Sequence, residues 1–148
     1  MPTPRIRALA ICVFLNGDRI LVTEALDPVQ GLRFCRPLGG GIEFGETGVQ
    51  TVVREIREEI GAEVADVRYL GTLENIFTYL GRPGHEIVRV YDASLVEASL
   101  YEGVVPGAES DGRPFVASWR SLSSFGPGLP LVPEGLADLL RSIAPTPA

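Results

Sequence analysis

Along the first 25 residues, two apolar runs flank a polar break: Ile6–Leu15 and Ile20–Val22 lie on either side of Asn16-Gly17-Asp18. An Asn-Gly step between β-type runs favours a tight hairpin, because its backbone tolerates positive φ. Strands are therefore expected near 6–15 and 19–25. Asp27–Gly31 then reads as a loop, and Leu32–Leu38 as a short strand with Pro37 marking its end or an edge. Gly39-Gly40-Gly41 is expected to be loop, since consecutive glycines lose the most backbone entropy inside a regular element.

Downstream the period changes from two to about 3.6. Val49, Val52, Val53, Ile56 and Ile60 recur at helical spacing and predict one buried stripe over a helix at 48–60. Thr47 and Gln50 have the spacing of a capping box, and Gly61 stands where a left-handed C-terminal residue is wanted. Alternation then returns. "VRYLGTLENIFTY" and "HEIVRVYDASLV" predict an antiparallel pair turning at Gly81-Arg82-Pro83-Gly84. Residues 103–114 read as an exposed loop, "PFVASWRSL" as a strand, and "PEGLADLLRSI" as a helix begun by Pro133. The tail "APTPA" is expected to fray. With strands outnumbering two widely separated helices, the fold class is α+β, helices packed on a mixed sheet, with residues 1–148 as a single domain.

Composition narrows the function. No apolar run approaches the roughly 18–20 residues of a membrane span, so no membrane association is expected. The arginine-bearing start followed by apolar residues is short and lacks a small-residue cleavage site, which favours a hairpin over an export signal. Cys12 and Cys35 have no metal-type spacing and read as buried, reduced thiols of a cytoplasmic protein, with one disulfide left open. The net charge is −6 and the cations are all arginine. Such an acidic chain is a poor nonspecific ligand for nucleic acid, and any polyanion it handles needs a mediating cation.

That requirement gives meaning to "REIREE", residues 54–59. Taken alone, such a segment is ordinarily a solvated helix face, with Arg54 and Glu58 as an i,i+4 pair. At about 100° per residue, however, Glu55, Glu58 and Glu59 fall within one arc beside the apolar stripe. Carboxylates so close repel one another unless a hard cation such as Mg²⁺ is shared among them.

The larger pattern Gly40-x5-Glu46-x7-Arg54-Glu55-Ile56-x-Glu58-Glu59-x-Gly61-Ala62 resembles the Nudix box, the signature of hydrolases acting on nucleoside diphosphates linked to another group. Seven identities at fixed spacing arise by chance on the order of once in 10⁵ such chains. Ala62 stands where that family has a bulkier aliphatic residue, and "RPLGG" replaces the commoner Leu-Pro-Gly-Gly approach. The opening hairpin, the Trp119 strand and the "LVPEGLADLL" helix also fall where Nudix domains have them.

The resemblance implies an α/β/α sandwich and a pyrophosphohydrolase using Mg²⁺, with Mn²⁺ as a substitute. It implies Glu55, Glu58 and Glu59 as metal ligands, completed by a carbonyl of Gly39 or Gly40, with Glu55 also a candidate base. Glu46 would support the site from behind, Arg54 would orient a glutamate, and Arg36, Gly40, Gly41 and Glu86 would meet the substrate. Glu86 resembles an acid of the ADP-ribose-cleaving branch. Its ordinary alternative is an exposed strand residue. Glu109 and Asp111 are further candidates for a base, weighed against a solvated loop; Glu97 and Glu102 are weaker. His85 is expected at a surface turn. One or two of Arg33, Arg36, Arg82 and Arg89 are expected on phosphate, and Phe77, Tyr79, Tyr91 and Trp119 are core aromatics unless one stacks on a base. The expected partner is a small nucleotide-like molecule (an NTP, ADP-ribose, a nucleotide sugar or a dinucleoside polyphosphate), without nucleic acid, and a homodimer is expected from the family. Two alternatives are clean-up of noncanonical NTPs and a non-catalytic nucleotide sensor on the same fold.

Overall fold

A computed structural model describes residues 3–143. Its strands are β1 (Ile6–Asn16), β2 (Arg19–Asp27), β3 (Leu32–Arg36), β4 (Leu38–Gly41), β5 (Val64–Tyr79), β6 (Arg82–Leu95), β7 (Val105–Ala108) and β8 (Pro114–Ser121). Two α-helices, α1 (Gly48–Ile60) and α2 (Leu136–Ile143), and two short 3₁₀ turns at Ala98–Tyr101 and Leu122–Ser124 complete the described fold. The sheet runs β5-β6-β1-β2-β8-β7, with β3 on β2 and β4 on β1. It is mixed: β1 and β6 are parallel and the other pairs antiparallel.

Alternation along β1 builds both cores at once. Ala10, Cys12 and Phe14 face one side, where Val52 and Ile56 of α1 cover them. Ile11 and Val13 face the other, under Leu136 and Leu140 of α2. A strand buried on both faces reads as an almost unbroken apolar run, which is what β1 shows. The result is the α/β/α sandwich. Cys12 and Cys35 are free, buried thiols on opposite faces of the sheet.

The helix at 48–60 forms with the expected bounds. Thr47 Oγ1 accepts from Gln50 N at 3.2 Å while Gln50 Oε1 accepts from Thr47 N at 2.8 Å, and Gly61 ends the helix with φ 65°. Val49, assigned to the buried stripe, is instead 44% exposed, because it lies in the first turn, where the helix has not yet met the sheet.

Several other expectations are corrected. Gly39, Gly40 and Gly41 are strand, not loop: β4 pairs with β1 at Leu9↔Gly41 through Cys12↔Leu38, so ladder hydrogen bonds offset the entropy cost of glycine. The β5–β6 turn is at Leu80-Gly81, with φ of 54° and 76°, and Arg82–Gly84 continue into β6. Residues 105–108 are not loop but β7, on the edge beside β8. α2 begins at Leu136, three positions beyond Pro133. The tail at 144–148 lies outside the described residues.

One irregularity of the sheet positions the site. β2 and β4 both lie on the same side of β1, β2 at its end (Leu15 and Asn16) and β4 along Leu9–Cys12. The sheet therefore forks, and the fork opens into a cleft.

Candidate functional site

The fork is lined by β3, β4, β5 and β6 and by Glu55 and Glu59 of α1, and encloses about 610 Å³. Its inner end is glycine backbone against carboxylate. Glu59 Oε1 accepts from Gly39 N at 3.0 Å, tying α1 to β4. At Gly40, a Cβ would overlap the Glu55 carboxyl, so the absence of a side chain lets Glu55 lie against the strand. Burial, then the neighbouring charge of Glu55, pushes the Glu59 carboxyl up to about 8.

Arg54 organises the outer side of this cluster. Its guanidinium donates to Glu46 Oε2 at 2.8 Å and Oε1 at 2.9 Å, to Glu55 Oε1 at 2.9 Å, to Glu58 Oε2 at 3.3 Å and to the Gly41 carbonyl at 3.0 Å. Three carboxylates and one strand are thus held by one planar fork of donors. Glu46 also accepts from Thr51 Oγ1 at 2.7 Å. These hydrogen bonds, led by those of Arg54, bring its carboxyl down to about 2. Glu46 faces Arg54, away from the cleft lining, while Glu55 and Glu59 face into it.

The three glutamates do not stand equally. Glu55 and Glu59 meet in the cleft, whereas the Glu58 side chain is 56% exposed and touches Arg54 alone in this group. Among the described residues, no three His, Cys, Asp or Glu side chains converge as a ready-made cation cage. The expected triad is therefore a close pair, Glu55 and Glu59, with Glu58 set apart on the exposed side of the helix and held by Arg54. The donor set still fits a hard divalent cation: carboxylate oxygens, backbone carbonyls of β4, and a carboxylate, Glu59, whose proton affinity is raised by burial and then by the neighbouring Glu55 charge.

The rest of the cleft combines cations, acids and apolar walls. Arg7 Nη1 lies 3.7 Å from Glu86 Oε2, and Arg36 Nη2 lies 3.6 Å from Glu109 Oε1. Arg36, Gly41 and Glu86 line the cleft, as does Glu109, for which the sequence favoured a solvated loop over a base. Asp111 does not; it caps its own turn by accepting from Arg113 N and Nε. His85 pairs with Glu74 at 2.8 Å on the surface. Arg33 pairs with Glu24, and Arg89 lies over the Tyr69 ring at 4.6 Å, both away from the cleft. Phe77 and Tyr79 line it, while Tyr91 is core and Trp119 donates its Nε1–H to the Leu100 carbonyl at 3.0 Å. Arg7, Phe34, Asn75 and Arg113 also line the cleft and were not singled out by sequence reasoning. Alternation could have put Arg7 on a polar face, but only the parallel register Arg7↔Glu86 reveals its partner.

The chain is thus a sandwich in which an acidic helix lies against a glycine strand at the mouth of a forked sheet. A family model described as the NUDIX domain matches residues 4–137, and the chain belongs to that family. NUDIX proteins are generally dependent on a divalent metal. A NAD-capped RNA hydrolase NudC of Mycobacterium tuberculosis is 46% identical over an alignment of 147 residues, covering 80% of this chain and 46% of that protein. The Pseudomonas aeruginosa protein of the same name is 39% identical over 69 residues, 47% of this chain and 24% of that protein. The chain thus spans half or less of the curated relatives it matches. Among solved structures, the MutT NUDIX hydrolase of Burkholderia pseudomallei shares the fold with a TM-score of 0.65 at 23% identity, covering 94% of this chain and 98% of that one. No described helix is long and apolar enough to cross a membrane.

Proposed function

We propose that the protein is a Mg²⁺-dependent pyrophosphohydrolase that cleaves the diphosphate of a nucleotide-like compound bound in the forked cleft. The observation that carries this is the Glu55–Glu59 pair, set against Gly39 and Gly40 and held from behind by Arg54 and Glu46. Glu55, Glu58, Glu59 and a carbonyl of Gly39 or Gly40 would hold the metal, Mg²⁺ or in substitution Mn²⁺. A divalent cation bound there supplies charge neutralisation of phosphate oxygens and a more acidic water.

The chain's own groups do the remaining work. Arg54 fixes the Glu55 carboxyl through Oε1 and tethers Glu58, so that neither must be ordered when substrate arrives. Glu55 would accept the proton of the attacking water. Arg7, Arg36 and Arg113 supply positive charge along a cleft that otherwise repels phosphate. Leu9, Ile11 and Val88 give the cleft an apolar floor that limits water.

The class of substrate favoured is a dinucleotide or ADP-ribose-type diphosphate. Two features support it: the curated relatives are NAD-capped RNA hydrolases, and Glu86 with Arg7 stands at the cleft wall. Because those relatives act on capped RNA, an RNA-linked diphosphate belongs in the test set beside NTPs and nucleotide sugars. A cytoplasmic site of action, with both thiols reduced, fits this chemistry. The test is turnover of NAD, ADP-ribose, NTPs, nucleotide sugars, dinucleoside polyphosphates and NAD-capped RNA with Mg²⁺, with products identified by mass. Two monophosphate-bearing products from one dinucleotide support the proposal. Release of inorganic phosphate alone, or tight nucleotide binding with no turnover, contradicts it and favours the sensor.

A further inference from the structure

The far end of the cleft is closed by two hairpins that share no strand pairing, and one buried carboxylate joins them. Asp27 ends β2 and is only 1% exposed. Its Oδ1 accepts from Val29 N at 2.9 Å and Gln30 N at 3.4 Å within its own turn. Its Oδ2 accepts from Gln30 Nε2 at 2.9 Å and, across the gap, from Leu80 N at 3.2 Å in the β5–β6 turn. Gln30 Nε2 also donates to the Thr78 carbonyl at 2.7 Å. Four donors converge on one acceptor group, so neither oxygen can be exchanged for a donor without a clash.

Directly inside this junction, β3 offers Phe34 and β5 offers Tyr79, whose rings meet edge to face at 5.9 Å. Both line the cleft, at the opposite end from Glu55 and Glu59. Tyr79 is 38% exposed, so the aromatic pair presents ring surface to an incoming planar group. Phe34 is carried by the hairpin that Asp27 ends, and Tyr79 immediately precedes Leu80.

We propose that Asp27 is a specificity-determining positioning residue: it latches the β2–β3 turn to the β5–β6 turn and so sets the spacing of Phe34 and Tyr79, the end of the cleft that receives the substrate's base. The latch rests on the proposed function for its substrate, a base-bearing diphosphate. Asp27 itself touches no substrate.

The test compares wild type with Asp27→Asn, which keeps the shape but turns an amide donor towards donors. We expect KM for the best dinucleotide substrate, and Kd for AMP, to rise roughly fivefold to tenfold, as expected when buried donors lose their acceptor. kcat should stay within about twofold and the Kd for ribose 5-phosphate should not move, since the inner end is untouched. A merely structural role would lower the active fraction and weaken both ligands alike, and that result overturns the latch, as does an unchanged AMP affinity in the folded variant. Gln30→Leu, which spares Asp27 and its backbone donors, should shift AMP in the same direction by less; it decides the matter if Asp27→Asn does not fold. Absence of wild-type turnover would refute the hydrolase reading alone, while AMP against ribose 5-phosphate binding still judges the latch.

Discussion

α1 and α2 flank the same sheet, and each covers one face of β1, yet of the two only α1 contributes side chains to the cleft. Both bury an apolar stripe: Val52 and Ile56 in α1, Leu136 and Leu140 in α2. The difference lies beside the stripe. α1 presents Arg54, Glu55 and Glu59 to a strand made of glycine, close enough for Glu59 to accept a backbone N–H. α2 presents Leu139 to Gly71, an apolar contact. Helix packing can therefore be built from any well-patterned stripe, whereas a site needs a second stripe and a partner surface that lets backbone approach.

The sharpest way to break this contrast is to alter one stripe and leave the other. Glu55→Gln should lower kcat by about 10²- to 10⁴-fold, the scale of a lost general base, with the melting temperature nearly unchanged. Leu140→Ala should do the reverse, costing about 2–5 kcal/mol of stability in denaturant unfolding while the surviving folded enzyme keeps its kcat. Gly40→Ala should displace the Glu55 carboxyl and lower kcat/KM by about 10- to 100-fold, because the support of a ligating carboxylate shifts while the core does not.

A last effect, on stability and not on turnover, is one of pH. In chelator, folded Glu59 holds its proton up to about 8, against an ordinary value of 4.5. Between these values the folded state binds more protons than the unfolded, so its contribution is full below 4.5 and lost as pH rises through 8. Melting temperature in chelator should fall across this window, and Glu59→Gln should flatten the slope.

How much of this was legible in the sequence follows the same divide. α1 was readable to its caps because every signal is local: Thr47 and Gln50 are three apart, Gly61 adjoins the end, and the box residues lie on one helix. β4 was not, because glycine has no side chain to reveal that a partner strand supplies its hydrogen bonds. The aromatic end was illegible for a related reason. Phe77 and Tyr79 look like any strand aromatics until the fork places them opposite β3. Asp27-Pro28 announces a turn, but nothing local announces that Leu80, 53 residues away, donates to it. The outward position of Glu58 also escaped, since helical spacing places three carboxylates on one arc without showing which of them Arg54 draws away.

The central claim is that the glutamates of α1 are a metal site for diphosphate cleavage. The most direct measurement is Mg²⁺-dependent turnover of the best dinucleotide substrate by wild type and by Glu59→Gln at matched folded concentration. We predict saturable Mg²⁺ dependence in wild type and, in the variant, a loss of turnover accompanied by weakened Mg²⁺ dependence. Equal turnover in both proteins, or wild-type turnover indifferent to Mg²⁺ and chelator, would contradict the account.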